Sequence, residues 1–495
     1  MLRSYAMPPS LNGHVPLDRL TKLENFGHSL DGAAYVYRPT HTEQIAELFA
    51  LARAHGASLT FRGAGRSYGD AALNAGGIVV DLRRMNRVLD WNPETGVIMV
   101  EPGVTIEQLW RHTLEDGWWP PVVPGTMFPT VGGVLGVNIH GKNNRQAGTF
   151  GEHVLRFTFM KPDGEEIECT PDDELFYAII SSLGMLGVIT RVTLQMKRIH
   201  SGNLAVTARA EPDLRGMLDA TDCGAHENDY IVGWIDCLKG GTGLGRGQMH
   251  AGDYLPPEAD PAPARSLSID HQTLPDTLFG LIPKSLLHQL MRPALNNWGV
   301  RAVNTAKYAA SRTLGQDKHY LQSHVAFNFL LDYVPNWERA YGAGGLIQYQ
   351  CFVPKETAHD AFAEILRRGQ RHGLPNYLGV LKRHRPDRFL LSHAVDGYSL
   401  AQDYRVTRYN HARLEKLIHE LDEIVLEAGG RFYFAKDSTL RPEIVRRFLG
   451  DATLENFQSL KAELDPENLL ESDLYRRCFK DSSTRIITNE HEFYS

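Results

Sequence analysis

A glycine-rich run, Phe61–Asp70 (FRGAGRSYGD), narrows the possible folds of this chain more than any other segment. Three glycines within seven residues let the backbone bend sharply and turn its N–H groups toward a phosphate. Residues 57–60 before the run and 76–82 after it are predicted to be short strands. A Rossmann dinucleotide loop needs a helix directly after its glycines. The Rossmann fold is therefore excluded, and a phosphate-binding loop and a plain hairpin turn remain as interpretations.

The length and charge of the chain exclude several classes of protein. A chain of 495 residues is too long for one compact core, so at least two domains are expected. The formal net charge of −7 does not favour a nucleic-acid partner. The five cysteines are scattered without a C-x-x-C pair, which predicts no disulfide framework and no metal site.

The distribution of apolar residues predicts a location in the cytoplasm or at a membrane surface. Residues 1–9 lack the apolar core of a secretory signal. No uncharged apolar run approaches the length of a membrane span. We therefore expect neither a signal peptide nor a transmembrane helix.

Helical and strand-like segments succeed one another along the chain and predict an α+β fold. Apolar spacing indicates helices at 39–56, capped by Thr42, and at 106–114, capped by Thr105. Further helices are expected at 357–372 and 411–428. Strands are expected at 157–160, 187–194, 203–207, 230–236, 346–353, 377–383, 389–394 and 431–435.

The stretch from about 253 to 320 has a different composition from its surroundings. Residues 253–275 are rich in Pro, Ala and Asp and predict a mobile loop. Residues 276–315 mix apolar and basic side chains with little acid. Such a segment could lie on an anionic membrane or cover a lipid, or it could be an ordinary helix pair packed on its domain. Its apolar members are Leu278, Phe279, Leu281, Ile282, Leu286, Leu287, Leu290 and Met291, and its basic ones are Lys284, Arg292, Arg301, Lys307 and Arg312.

Four further motifs follow the glycine run in order. They are 124–133 (PGTMFPTVGG), 138–143 (NIHGKN), 184–190 (GMLGVIT) and 430–438 (GRFYFAKDS). Together with the glycine run they resemble the FAD-binding domain of the vanillyl-alcohol-oxidase/p-cresol-methylhydroxylase (PCMH) superfamily, over nearly the whole chain. The signatures GRSYGD, IHGKN and AKDS are most similar to the branch that oxidises a ribose carried on a polyprenyl phosphate. Several motifs in one order are more specific than a single glycine loop.

The resemblance implies a fold that periodicity alone does not give. A two-subdomain FAD-binding domain of the PCMH type would occupy residues 1–199. A substrate domain with an antiparallel sheet would be inserted at 200–430, with the amphipathic insertion near 253–320. Residues 431–495 would complete the FAD-binding domain.

The resemblance also implies which residues hold the cofactor. Many superfamily members carry, where Arg66 stands, a histidine that bonds covalently to the flavin. An arginine stays protonated and cannot form this bond, so we expect non-covalent FAD. Arg66 suits the pyrophosphate of FAD, and the alternative is an ion pair with Asp70. The expected cofactor-binding residues are Arg62, Gly63, Ala64, Gly65, Arg66, Ser67, Tyr68, Gly69, Gly125, Thr126, Thr130, Val131, Gly132, Gly133, Asn138, Ile139, His140, Gly141, Ile189 and Tyr433.

Three residues are candidates for catalysis by resemblance. Lys436 matches a lysine near the flavin and the sugar, and a desolvated lysine can accept a proton or stabilise negative charge. Its alternative is a surface lysine paired with Asp437. Tyr68 could reach the flavin or the substrate, or it could be a buried tyrosine with one satisfied hydrogen bond. His140 could hydrogen-bond the flavin or be structural.

The candidate substrate-binding residues are Lys142, Trp234, Gln348, Gln350, Lys382 and Asp403. Lys142 could hold a phosphate or be a solvated loop lysine. Gln348 and Gln350 share one face of a strand, which could point at sugar hydroxyls or at solvent. Lys382 could bind a phosphate or pair with Asp403. The similar branch of the superfamily has a cysteine at the position of Ala401 and a pocket tyrosine near that of Asn328. This chain has neither. These departures concern the substrate, not the redox chemistry.

The sequence therefore predicts an FAD-dependent oxidoreductase. It would oxidise a secondary sugar hydroxyl, on a polyprenyl-phosphate-linked pentose, to a keto-sugar by hydride transfer to flavin N5. The alternatives are an alditol or aldonolactone oxidase and a non-catalytic flavoprotein. Expected partners are a small-molecule or lipid-linked sugar substrate, a reductase for the keto product and a membrane surface.

Overall fold

The structure is a computed structural model that describes residues 17–278 and 282–480. The expectation about residues 1–9 and the predicted apolar roles of the side chains of Leu278, Phe279 and Leu281 lie outside what it describes. Within the described ranges, no helix has both the length and the apolar character needed to traverse a bilayer.

The glycine-rich run lies in a four-stranded sheet near the start of the chain. The strands are ordered Leu20–Glu24, Asp31–Tyr37, Ile78–Asp81 and Leu59–Arg62, and the last three are parallel. The run follows Leu59–Arg62 and precedes Ile78–Asp81, so the predicted strand–loop–strand setting is confirmed. Helix Glu43–Ala54 packs its apolar stripe on the sheet, although Thr42 at its start makes no side-chain capping bond.

A second, five-stranded antiparallel sheet follows. Its order is Val88–Asn92, Val97–Val100, Val188–Gln195, Val154–Met160 and Glu166–Cys169. Helix Ile106–Thr113 begins at Thr105, which forms a capping box with Gln108, as the predicted cap requires. Three short helices, Val131–Gly136, Asn144–Ala147 and Glu174–Ile179, connect this part of the chain. The strands Trp118–Trp119 and Lys197–Arg198 form a small separate pair.

The later half of the chain forms an eight-stranded antiparallel sheet. In order its strands are Lys318–Ser323, Asn203–Glu211, Gly247–Tyr254, Tyr230–Ile235, Gly379–His384, Gly397–Arg405, Leu346–Pro354 and Arg431–Phe432. Helices Leu214–Glu227, Lys355–Arg371 and His411–Glu427 pack their apolar stripes against it. Side chains alternate across a strand, so the residues between those packed on the helices point to the opposite face.

The remaining elements are mostly short, and the longest of them, helix Asn297–Leu314, packs on strands Asn203–Glu211 and Gly247–Tyr254. The α-helices are Pro263–Ser266, Ile269–Gln272, Leu287–Met291, Asn297–Leu314, His324–Asn328, Pro442–Leu449, Asp451–Leu464 and Asp473–Cys478. Single 3₁₀ turns lie at Leu17–Arg19, Leu82–Arg84, Phe150–His153, Gly241–Gly243, Lys284–Leu286, Arg292–Ala294, Leu330–Tyr333 and Trp337–Tyr341. The strands Thr277–Leu278 and Ile282–Pro283 form a small hairpin.

Three local predictions are wrong. Residues 389–394 form no strand, because their backbone N–H groups bond to Tyr177 and Ser181 instead of a neighbouring strand. The strand expected at 431–435 ends at Phe432, and the following residues form a turn. The loop expected at 253–275 contains two short helices, which Ser268 and Pro263 help to begin.

The chain's last described segment binds back onto the first sheet. The N–H of Leu59 bonds to the carbonyl of Leu469 at 2.8 Å, and the N–H of Glu471 bonds to the carbonyl of Leu59 at 3.0 Å. Arg477 bonds to the carboxylates of Asp70 and Asp437 at 2.7 and 2.8 Å. These contacts hold the glycine-rich run and the 430–438 motif side by side. The domain boundaries at residues 199 and 430 stay a prediction.

Candidate active site

A cavity of about 590 Å³ lies between the glycine-rich run and the face of the eight-stranded sheet opposite helices Leu214–Glu227, Lys355–Arg371 and His411–Glu427. The face of the sheet that lines it is set by strand register. Trp234 lies opposite Gln248 and Val380, and Gln350 lies opposite Ala401, so these side chains share one face. Alternation along the strands adds Gln348 and Lys382 to that face. Gln348 and Gln350 thus point into the cavity and not into solvent.

The opposite wall is made largely of backbone. Gly65 has a φ of +65°, a conformation that favours glycine. A Cβ on Gly63 would overlap Thr130, so the glycine-rich run and the 124–133 motif approach closely. Gly133 has only the Thr130 hydroxyl within 4 Å of its Cβ position and therefore opens onto the cavity.

Most of the predicted cofactor-binding residues line the cavity. They are Gly63, Ala64, Gly65, Arg66, Ser67, Tyr68, Gly125, Thr126, Thr130, Gly132, Gly133, Ile139, His140, Ile189 and Tyr433. Five of the predicted residues do not line the cavity, and some of them support the wall from behind. They are Arg62, Gly69, Val131, Asn138 and Gly141. Arg62 donates to the carbonyls of Glu24 and Ala72, and Asn138 donates to the Thr149 hydroxyl at 3.0 Å.

The charge of this lining fits FAD. Among the described residues that line the cavity, Arg66 and four lysines are basic and none is Asp or Glu. Backbone N–H groups on a wall without side chains, next to basic groups, suit the pyrophosphate of a dinucleotide. Gly63, Gly65, Gly132 and Gly133 would supply that wall, with Arg66 beside it.

Arg66 does not form the ion pair with Asp70 that was one interpretation. Its guanidinium lies between two aromatic rings, 4.9 Å from the centroid of Phe26 and 5.1 Å from that of Phe128. Asp70 pairs with Arg477 instead. Two aromatic faces hold the guanidinium at the cavity wall, where it can meet a phosphate.

Lys436 projects into the cavity beside Tyr68. Its Nζ lies 3.9 Å from the centroid of the Tyr68 ring. The residue follows a turn closed by its own N–H to the carbonyl of Tyr433 at 2.9 Å. Burial lowers the pKa of Lys436 to about 7, while the Asp403 carboxylate opposes this shift. The alternative pairing with Asp437 is wrong, since that carboxylate bonds to Arg477.

Asp403 lies opposite Gln348 on the neighbouring strand and on the same face of the sheet, but it does not line the cavity. Its side chain is buried, and Oδ1 accepts a hydrogen bond from Gln348 Nε2 at 2.6 Å. Burial raises the pKa of Asp403 to about 6. Asp403 therefore orients Gln348 and influences the charge of Lys436, which corrects its expected role as a direct substrate contact.

His140 is held in a cluster of aromatic rings. Its Nε2 lies 3.0 Å from Gln350 Nε2, and the amide can only donate there, so the imidazole proton belongs on Nδ1. The His384 and His393 rings lie 4.8 and 5.4 Å from it, with Phe352 between them. Burial and the nearby Lys382 hold the pKa of His140 well below its usual range. His140 is thus a neutral hydrogen-bonding group facing the cavity.

The two predicted phosphate-binding lysines both line the cavity. Lys142 is buried, and its ammonium donates to the carbonyl of Phe327, so the interpretation as a solvated loop lysine is wrong. Burial lowers the pKa of Lys382 to about 8. No ion pair between Lys382 and Asp403 is found among the described residues.

The sequence did not point to two ionisable residues that line the cavity, His250 and Lys307. His250 could have been found, because it lies opposite Val232 on strand Tyr230–Ile235 and shares the face of Trp234. Lys307 was named only as part of the amphipathic segment. Its place depends on how helix Asn297–Leu314 packs on the sheet, which no local pattern reports.

Comparison with known proteins agrees with this geometry. Residues 33–170 match the family described as FAD binding domain. The chain is 32% identical over 471 residues to decaprenylphosphoryl-beta-D-ribose oxidase of Mycolicibacterium smegmatis, covering 92% of this chain and 97% of that protein. It is 31% identical over 395 residues to an uncharacterized protein of Streptomyces coelicolor, covering 76% and 99%. It is 33% identical over 197 residues to L-gulonolactone oxidase of Mus musculus, covering 39% and 44%.

These matches establish the cofactor and the broad activity. FAD is the cofactor, and the protein is an FAD-dependent oxidoreductase of sugar-related substrates. The similarity to the first of these relatives extends over both the cofactor motifs and the eight-stranded sheet. The chain belongs to the family of FAD-linked oxidoreductases that includes decaprenylphosphoryl-beta-D-ribose oxidase.

Proposed function

We propose that this protein oxidises a secondary hydroxyl of a pentose linked to a polyprenyl phosphate, giving a keto-sugar. The observation that carries the proposal is the placement of Lys436 and Tyr68 in a basic cavity, between the glycine-built wall and a polar sheet face. The identity with decaprenylphosphoryl-beta-D-ribose oxidase over 92% of the chain supports this substrate class.

Lys436 would manage the hydroxyl proton. Bound FAD supplies the acceptor for the hydride. With a pKa of about 7, Lys436 exists partly as a neutral amine near neutral pH and can accept the proton. Its protonated form stabilises negative charge on the same oxygen. Tyr68, whose ring Lys436 contacts, fixes the amine in place.

The sheet face would hold the sugar. Gln348 and Gln350 present amides to the cavity, and each is oriented by a bond to a buried partner, Asp403 and His140 respectively. Trp234 offers an aromatic face, which suits a sugar ring. Lys142 and Lys382 lie on the same cavity wall and would bind a phosphate carried by the sugar.

The polyprenyl chain would leave the cavity toward a membrane surface. The segment 282–314 exposes large apolar side chains to solvent, among them Leu286, Leu290, Met291, Trp298 and Val303. Exposed apolar groups next to basic ones suit an anionic bilayer surface.

A separate reductase would then consume the keto product.

The experiment that tests this proposal is an anaerobic titration of the FAD-loaded protein. A short-chain polyprenyl-phosphate pentose should bleach the flavin absorbance at near-stoichiometric amounts. Free alditols and aldonolactones should bleach it only slowly. Reduction by the lactones alone would overturn the proposal in favour of a lactone oxidase, and reduction by neither would indicate a non-catalytic flavoprotein.

The flavin would be held without a covalent bond. Arg66 occupies the position where a flavin-linking histidine would stand, and arginine cannot form that bond. Acid precipitation of the holoprotein should therefore release all of the flavin into the supernatant. Yellow colour that stays with the precipitated polypeptide would contradict this.

A further inference from the structure

Helix Asn297–Leu314 carries one lysine into the cavity. Val300, Asn304 and Ser311 are its buried residues, and Lys307 falls on the same stripe at helical spacing. The Lys307 Nζ lies 3.9 Å from the centroid of the Trp234 ring. Lys307 is solvent-accessible, so this contact lies at the open side of the cavity.

A polar network clamps this helix to the sheet. Asn304 Nδ2 donates to Asp236 Oδ1 at 3.0 Å, and Arg246 bonds to the other oxygen of Asp236 at 2.9 Å. The same guanidinium donates to Thr305 at 3.3 Å and lies 4.5 Å from the centroid of the Tyr308 ring. Helix residues on both sides of Lys307 are therefore fixed, which sets the direction of its side chain.

Both carboxylate oxygens of Asp236 are bonded within this network, to Asn304 and Arg246, so Asp236 does not neutralise Lys307. The ammonium instead faces Trp234 and the neighbouring His250, both on the cavity-lining face of the sheet. Burial and the nearby Lys307 and Lys142 lower the pKa of His250 to about 4, so its imidazole is neutral and offers one N–H donor. A fixed cation, an N–H donor and an aromatic floor without a lining carboxylate suit an anion.

These groups lie on the part of the sheet next to Lys382. The strand of Trp234 pairs with Gly379–His384, which carries Lys382, and Trp234 lies opposite Val380. Lys142 is also near enough to lower the pKa of His250. Lys307 and His250 therefore border the two lysines that would bind a phosphate carried by the sugar.

We propose that Lys307, His250 and Trp234 form an anion-binding subsite at the cavity mouth that takes a phosphoryl group of the ligand. This deepens the proposed function and rests on it for the identity of the substrate, but binding of a phosphoryl group does not require oxidation. The phosphoryl group could belong to a lipid or to a soluble phosphate. A lipid would also place an apolar chain at the cavity mouth, and a soluble phosphate would not.

The test is calorimetric titration of the FAD-loaded protein with inorganic phosphate, pyrophosphate and a short-chain isoprenyl phosphate. The K307Q variant should bind the tightest of these probes roughly tenfold more weakly, because a hydrogen-bonded charge is lost. The matched control is R301Q, which removes a cation from an exposed position of the same helix outside the cavity. Equal affinities in the wild type, K307Q and R301Q would overturn the subsite.

The choice of probe identifies the source of the phosphoryl group. Tighter binding of isoprenyl phosphate than of either inorganic anion, lost in K307Q, supports a lipid-carried group. Lys307-dependent binding of the inorganic anions alone supports the subsite and points to a soluble phosphate. Binding of none of the probes by the wild type overturns the subsite.

Steady-state kinetics separates this inference from the proposed function. With a phosphorylated substrate, K307Q should raise KM roughly tenfold and leave kcat unchanged, since Lys307 would hold the phosphoryl group and not the hydroxyl that reacts. A fall in kcat with constant KM would overturn the assignment. If no sugar reduces the flavin but phosphate binding still depends on Lys307, the proposed function fails and the subsite stands.

Discussion

The two walls of the cavity use different parts of the polypeptide. The wall formed by the glycine-rich run and the 124–133 motif presents backbone, and added side-chain atoms would collide or intrude there. The sheet wall presents alternate side chains, several of them oriented by buried partners such as Asp403. On the proposed assignment, the first wall would bind groups that do not vary in FAD, whereas single substitutions on the second could change the substrate. Cofactor and substrate specificity would then be encoded separately.

The largest expected effect comes from Lys436, which lies on the turn beside Tyr68 of the glycine-rich run. Lys436→Ala should slow substrate reduction of bound FAD by about 10² to 10⁴, because the proton acceptor is lost. The visible spectrum of bound FAD should remain. Stopped-flow reduction measures this, with Lys355→Ala, at an exposed helix position, as the control. Similar reduction rates in both variants would refute the role of Lys436.

The pH dependence of the same step gives the next largest effect. Since the neutral amine accepts the proton, the reduction rate should rise about tenfold per pH unit below the Lys436 pKa of about 7 and level off above it. Asp403→Asn removes a carboxylate that favours the protonated amine, so the midpoint should move to lower pH. A profile without a midpoint between pH 5 and 9 would show that another group accepts the proton.

Substitution of a glycine on the backbone wall should have the opposite effect from substitution of Lys436, because it should weaken FAD binding. Gly133→Ala adds a methyl group that points into the cavity and should weaken FAD binding by about tenfold. The melting temperature of the apoprotein should not fall, because alanine favours a helix more than glycine does. Gly369→Ala, in helix Lys355–Arg371 outside the cavity, is the control for flavin fluorescence titrations. Unchanged FAD affinity in Gly133→Ala would remove this glycine from the cofactor wall.

The smallest effect is expected outside both walls, at the exposed apolar residues. Trp298 is 82% exposed, and Trp298→Ser should lower partitioning onto anionic lipid vesicles by about threefold to tenfold. Tyr409→Ser, at a residue 78% exposed elsewhere on the surface, serves as the control in a sedimentation assay. If the two variants partition equally, segment 282–314 is not the membrane contact.

The sequence was informative where chemistry depends on backbone or on strict alternation. The glycine-rich run predicted the strand–loop–strand setting, and the spacing of Gln348 and Gln350 predicted their shared face. Local patterns could not show that Gln348 bonds to Asp403, because this depends on pairing with a strand distant in the sequence. They also could not place Lys307, whose direction is fixed by Asp236 and Arg246 across the sheet.

The position of Arg477 has a consequence for biosynthesis. This residue, near the end of the described chain, bonds to Asp70 and Asp437 and so joins the glycine-rich run to the turn that carries Lys436. Translation proceeds from the N-terminus, so the run is made some four hundred residues before its clamp. The run therefore reaches this arrangement only after Arg477 has been synthesised. FAD that meets the run in this arrangement would bind only after synthesis has passed Arg477.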